Sequence, residues 1–197
     1  LLLAAGFSRR FGADKRLQLL ADGAPLGLAA IDRWLAAEAL DELYVATRPN
    51  DDFARLLRRS DRSCTLLPAT NADLGMGHTL SNAVAQITPA WNCCLLIGLA
   101  DMPLVSPATL NALALELKDQ AEHQPGCIVV PTHHGQRGNP VGFGPAWRGA
   151  LKACRGDQGA RNILQAAQKL DTLHSLPTSD AGVLQDVDTS AQLDAIR

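Results

Sequence analysis

The chain has 197 residues, 47% of them hydrophobic and 19% charged, with a formal net charge of −2 at pH 7. That length suits one domain over residues 1–197, burying roughly 70% of its unfolded surface, and the apolar fraction excludes a disordered chain. The near-neutral charge argues against a nucleic-acid-binding surface, and no apolar run approaches the ~20 residues that span a bilayer.

No signal peptide is visible, so a cytoplasmic protein without a membrane segment is expected. The chain opens without Met inside an expected strand, so a few leading residues are expected to precede it. Cysteines stand at 64, 93, 94, 127 and 154 with no C-x-x-C pair. They read as small buried hydrophobes in a reducing compartment, with no partner that would make one a nucleophile.

Residues 1–5 (LLLAA) form a continuous apolar run, as for a strand buried on both faces of a parallel sheet. Gly6 and Gly12 follow, and Arg9, Arg10, Lys15 and Arg16 crowd the same stretch. A glycine-rich turn leaving a buried strand lets backbone N–H groups approach an anion, which the cations then hold. Such a turn at a strand's C-terminal end is where open α/β sheets bind ligands. Pro25 opens a helix with Leu28, Ile31, Leu35 and Ala39 on one face. Residues 43–47 and 64–68 read as strands, with a short charged helix over 49–59 between them. Leu80, Ala83, Val84 and Ile87 define an amphipathic helix. Residues 93–99 (CCLLIGL) are the most continuously apolar run and predict a central strand, after which Ser106 caps a helix begun by Pro107.

Strand and helix alternate throughout this half, predicting a doubly wound, mostly parallel sheet in a three-layer α/β/α arrangement. Further on, residues 127–131 and 140–143 read as strands, and 135–140 (GQRGNP) as a flexible loop. Asp157 is placed to cap a helix carrying Ile163, Leu164, Ala167 and Leu170, and a short helix with Leu193 and Ile196 ends the chain.

Asp101 follows directly on the most apolar strand, so its carboxylate belongs at the sheet edge that the Gly6 loop leaves. A carboxylate facing a cationic loop suits a divalent cation shared with phosphate oxygens; a turn cap before Pro103 is the alternative. Gly75 and Gly77 ahead of a helix permit backbone contacts to an anion or a base edge, or simply start the helix. Asp186 and Asp188 alternate on an extended stretch and share one face, a costly arrangement unless a cation joins them; Asp188 or Thr189 could equally cap the last helix. Arg137 and Asn139 can hydrogen-bond a phosphate or a heterocycle, or sit in a plain surface turn. His133 and His134 are adjacent and point apart, with no further ligand at zinc spacing.

Residues 3–15 carry LAAG-x-S-x-R-x-G-x-x-K, which resembles the signature loop of the molybdopterin cytidylyltransferases within the MobA-like nucleotidyltransferases. The sugar-phosphate nucleotidyltransferases resemble it more broadly. The segments at 71–80 (NADLGMGHTL), 99–103 (LADMP), 135–140, 156–161 (GDQGAR) and 185–189 (QDVDT) are similar to that family's in the same order. Thr79 stands at the family's Ser and Ser190 at its Pro. The resemblance implies a Rossmann-like nucleotidyltransferase fold and transfer of CMP from CTP to the phosphate of a molybdopterin-type cofactor, with Mg²⁺. It implies that Arg10 and Lys15 hold the triphosphate, and that Asp101 with Asp186 or Asp188 binds the metal. Leu3, Ala4, Ala5, Gly6, Asn71, Gly75 and Thr79 would frame the nucleotide, with Arg137, Asn139, Asp157 and Arg161 toward the acceptor. A molybdoenzyme receiving the product is the further partner it suggests. A guanylyl or sugar-phosphate transferase of the same fold and a non-catalytic cofactor carrier are the alternatives. A dinucleotide-dependent oxidoreductase lacks its G-x-G-x-x-G here, and neither a Walker loop nor a G-x-S-x-G elbow is present.

Overall fold

The computed structural model describes residues 1–8, 11–87 and 93–196. Its first half builds four parallel strands, β1 (Leu2–Leu3), β2 (Tyr44–Thr47), β3 (Thr65–Pro68) and β4 (Leu95–Leu99). The helices α1 (Leu26–Leu35), α2 (Asp52–Arg58) and α3 (Met76–Gln86) connect them. The helix α4 (Pro107–His123) leads to β5 (Ile128–His133), β6 (Gln136–Arg137) and β7 (Val141–Phe143). The chain continues through α5 (Arg148–Lys152), α6 (Arg161–Lys169), β8 (Leu173–Pro177) and α7 (Ser190–Ala195).

The sheet runs β3-β2-β1-β4-β7-β5, with β6 and β8 both paired to β5. It is mostly parallel; β7 lies antiparallel to β4 and β5, and β6 antiparallel to β5. Alternate strand residues feed opposite cores, as a period of two requires. Leu2, Val45, Leu96 and Val129 pack with Ile31 and Trp34 of α1, Phe53 of α2 and Leu113 of α4. Leu3, Ala46, Ile97 and Ile128 pack on the other side with Leu80 and Val84 of α3, Leu151 of α5 and Ile163 of α6. Two helical layers therefore sandwich the sheet.

The chain leaves β1 toward β2 on one side and reaches β4 on the other, so the order reverses between β1 and β4. The register sets Leu3 opposite Leu99, and Ala100 N–H donates to Leu3 O at 3.0 Å. Open α/β sheets form their ligand crevice at such a reversal, outside the carboxyl ends of the strands.

The second half departs from the sequence expectation at four places. Asp157 does not cap α6: it lies in a 3₁₀ turn, Gly156–Gln158, and α6 starts behind Ala160 without a side-chain cap. Residues 136–137 form β6 of a hairpin rather than free loop, held because β5 offers its Thr132–His133 edge. β8 was not expected: only Leu173 and Leu176 of its five residues are apolar hydrocarbons, and it gains its place by pairing with the buried β5 along its length. Leu170, expected on the inner face of α6, stands past the helix end and is exposed.

Leu113 is fully buried between α4 and the sheet. Leu113→Ala is expected to lower unfolding free energy by about 2–5 kcal/mol, read from the urea midpoint, because the cavity cannot collapse between two rigid layers.

Candidate active site

The crevice between β1 and β4 is a cleft of about 270 Å³, bordered by residues 3–6, Lys15, Asp101, Gly75, Thr79 and Asp157. Lys15 enters it from a 3₁₀ turn, Lys15–Leu17, capped by the Asp14 side chain. Its ammonium sits 2.6 Å from Asp101 Oδ2 and 2.7 Å from Asp188 Oδ1, bridging a carboxylate from the middle of the chain to one near its C-terminal end. Val187 N–H donates to Asp101 O at 3.0 Å, which ties the C-terminal segment to the end of β4. Burial pushes the Asp101 carboxyl above the usual carboxylate range; Lys15 opposes that shift, and the charges of Asp186 and Asp188 add to it. Burial works to lower the Lys15 ammonium, but Asp101 and Asp188 outweigh it and hold the group above the ordinary lysine range.

Asp101 Oδ1 is buried with no hydrogen-bond partner. An orphaned carboxylate oxygen next to a second carboxylate is a hard-oxygen donor set that fits a divalent cation. Among the described residues no group of three His, Cys, Asp or Glu side chains could hold such an ion alone, so a metal here needs ligand oxygens as well.

Behind Lys15, Arg16 is only 3% exposed. Its Nε donates to Asp14 Oδ1 at 2.8 Å, its Nη2 to Asp14 Oδ2 and, at 2.6 Å, to Asp51 Oδ2, and its Nη1 to Ala4 O. Arg48, just past β2, binds the same two carboxylates at 2.8 Å each and donates to Gly6 O at 3.2 Å. Phe53 and Phe7 lie under the two guanidiniums, at 4.9 and 4.7 Å. The four charges form a closed box that fixes both ends of the first loop. Burial raises the Asp14 and Asp51 carboxyls, but Arg16 and Arg48, and for Asp51 the Ala54 N–H, bring them below the usual range.

The opposite wall is the start of α3. Gly75 has φ +111°, and a Cβ there would stand 2.2 Å from Asp157 Oδ1; at Gly77 it would stand 2.6 Å from Arg155 O. The two glycines thus let the 155–157 turn pack flush on the helix start. Gly156 N–H also meets His78 Nδ1 at 3.1 Å, and Arg155 Nη1 donates to Ser81 Oγ at 2.8 Å.

The structure brings Leu3, Ala4, Ala5, Gly6, Lys15, Gly75, Thr79 and Asp101 to one cleft, with Asp188 on the Lys15 ammonium. Asp157, expected with the acceptor group, borders this same cleft. Arg137, Asn139 and Asp186 line a separate hollow of about 170 Å³, which shares Leu99 with the cleft. Asn71 and Arg161 are exposed and border neither. Arg10 lies outside the described residues. The five free cysteines lie outside the cleft lining, and burial pushes their thiols up, Cys94 to about 11. Sequence reasoning missed Arg48 and Asp51; the available signal was a cation directly after a strand, two residues ahead of an Asn-Asp-Asp helix start.

A doubly wound sheet with a glycine loop and Lys15 facing a carboxylate at the order reversal is an arrangement that fits a nucleotidyltransferase. The chain belongs to the family of the MobA-like NTP transferase domain, whose model matches residues 1–172. It is 29% identical over 201 residues to the purine catabolism protein PucB of Bacillus subtilis, covering 99% of this chain and 93% of that one. Among solved structures, Rv0371c of Mycobacterium tuberculosis H37Rv in complex with manganese superposes with a TM-score of 0.75 at 23% identity, covering 99% and 95% of the two chains. A nucleotidyl transferase of Methanothermobacter, Mth528, superposes at 0.77 with 20% identity, covering 100% and 94%. No helix among the described residues is long and apolar enough to cross a membrane.

The box carries a pH signature. Carboxyls held below their unfolded value, about 3.9, stabilise the fold fully above that pH and lose the contribution as pH falls through their folded values. Wild-type urea midpoints are therefore expected to be unaffected by these groups from pH 7 to 5 and to drop below about pH 4. Asp51→Asn should cost about 3 kcal/mol at pH 7 and show a shallower acid slope.

Proposed function

We propose that the protein transfers CMP from CTP to the terminal phosphate of a molybdopterin-type cofactor, releasing pyrophosphate. The observation that carries this reading is the Lys15 ammonium seated between Asp101 and Asp188 at the mouth of the Gly6 loop. The N-terminal loop, LADMP and GDQGAR resemblances support the choice of CTP and pterin. The product would pass to a molybdoenzyme.

In this reading an acceptor phosphate oxygen attacks the α-phosphorus of CTP in line. The new P–O bond forms as the bond from the α-phosphorus to the bridging oxygen breaks, and pyrophosphate leaves with that electron pair. The nucleophile is already an anion, so no general base is required, and catalysis rests on positioning and charge neutralisation. Lys15, with Arg10 five residues earlier in the same loop sequence, holds the triphosphate and offsets charge on the leaving pyrophosphate. The residue 3–6 backbone, Gly75 and Thr79 frame the nucleoside, while Arg137 and Asn139 receive the acceptor in the neighbouring hollow. Asp101 and Asp188 would hold Mg²⁺, which would supply neutralisation of phosphate charge; the manganese complex of Rv0371c supports a divalent ion in a protein of this fold. Asp186, in the acceptor hollow, raises the negative potential at Asp101 rather than sharing its ammonium contact.

The test is pyrophosphate release from CTP, GTP, ATP and UTP with Mg²⁺ and molybdopterin. CTP with pterin is expected to react; pterin binding without turnover of any nucleotide would favour a carrier. Lys15→Met and Asp101→Asn should each lower kcat by about 10²–10³ while retaining the wild-type circular dichroism spectrum. Chelation by EDTA should abolish release, and added Mg²⁺ or Mn²⁺ should restore it.

A further inference from the structure

We propose that Asp157 selects the nucleobase, accepting a hydrogen bond from an exocyclic amino group, the N4 amino group of cytosine in the proposed reaction. This rests on the reading of the β1–β4 cleft as a triphosphate site and adds the group that chooses among triphosphates.

The cleft lining divides by chemistry. One part carries the Lys15–Asp101 ion pair, suited to phosphate and metal. The other carries Gly75, Met76, Thr79, Asp73 and Asp157, where no cation stands among the described residues. With phosphates drawn to the ammonium, the nucleoside falls to the second part. Among the described residues the Asp157 carboxylate has no hydrogen bond and no ion pair. An ionised carboxylate is an acceptor only. Next to it, cytosine offers the N4 amino donor where uracil offers the O4 acceptor, so the two bases meet opposite interactions.

The backbone beneath Asp157 is set firmly, which selection requires. Its turn is seated on α3 by the Gly75 and Gly77 contacts, by the Gly156–His78 hydrogen bond and by Arg155 on Ser81. A Cβ at either glycine would push the turn, and the carboxylate with it, off the helix start. This account also gives a cause for the Gly-Met-Gly-His spacing that plain helix initiation does not.

The experiment compares matched triphosphates in which an oxo group replaces the amino group, CTP with UTP and GTP with xanthosine triphosphate, on wild type, Asp157→Asn and Asp73→Asn. Affinity is read by calorimetry and turnover by pyrophosphate release. An asparagine amide both donates and accepts, so Asp157→Asn should lower the amino-to-oxo preference of the favoured pair about 10- to 100-fold, partly by improved use of the oxo partner. Asp73→Asn, which leaves Asp157 in place, should keep the wild-type preference. An equal loss for both members of a pair, as from a ribose contact, would overturn the assignment. So would collapse of the preference in Asp73→Asn alone. A wild type that binds no triphosphate would overturn the nucleotidyltransferase reading itself, whereas one that turns over both members of each pair equally would overturn only the role of Asp157.

Discussion

The pairing of Leu3 with Leu99 is the constraint on which the rest of the site depends. It brings the end of β1, with its glycine loop, level with Asp101 at the end of β4. A slip of one residue would turn every β1 side chain to the opposite face. Leu2 would leave the core it shares with Trp34 and Phe53, and Leu3 the one it shares with Leu80. The two hydrophobic cores therefore enforce the alignment of the polar groups, and the geometry of a charged cleft is held by apolar packing several ångströms away.

Around that alignment the protein solves two electrostatic problems differently. Arg16 is buried, and a buried guanidinium is tolerable only when each of its faces is met. Asp14, Asp51, the Ala4 carbonyl and the Phe53 ring meet them, and Asp51 also caps α2 through Ala54 N–H. The box thereby joins the first loop, the end of β2 and the start of α2 into one unit. Lys15, the neighbouring residue, has two carboxylates and an open side toward the cleft. One adjacent pair of cations is thus split between a closed structural role and an open chemical one, within a chain whose net charge is near zero.

What could be read from the sequence follows the strength of each physical signal. The buried parallel strands announce themselves as apolar runs, and α3 and α4 as periodic or capped segments, because burial on both faces of a sheet leaves few other residue choices. Gly6 and Asp101 are legible because they follow strand ends, where the fold class itself predicts a ligand, and Lys15 because it belongs to the cation-rich loop that leaves β1. β8 was not, since an edge strand with a half-exposed face needs no apolar run. Asp157 reads as a helix cap because Asp ahead of a helical run commonly caps it, but α6 starts four residues later, and only packing against Gly75 reveals the 3₁₀ turn. The Arg48–Asp51 half of the box offers only a weak local signal, a cation after a strand and an acidic helix start, because its partners Asp14 and Arg16 lie more than 30 residues away.

The bridge from Lys15 to Asp188 joins residues 173 positions apart. A contact across so long a stretch of chain costs loop entropy before it rewards it. The bridge therefore closes with the fold as a whole, as the C-terminal segment docks on the end of β4 and Val187 N–H donates to Asp101 O. The cleft's charge balance is thus a property of the completed domain, not of the loop that opens it.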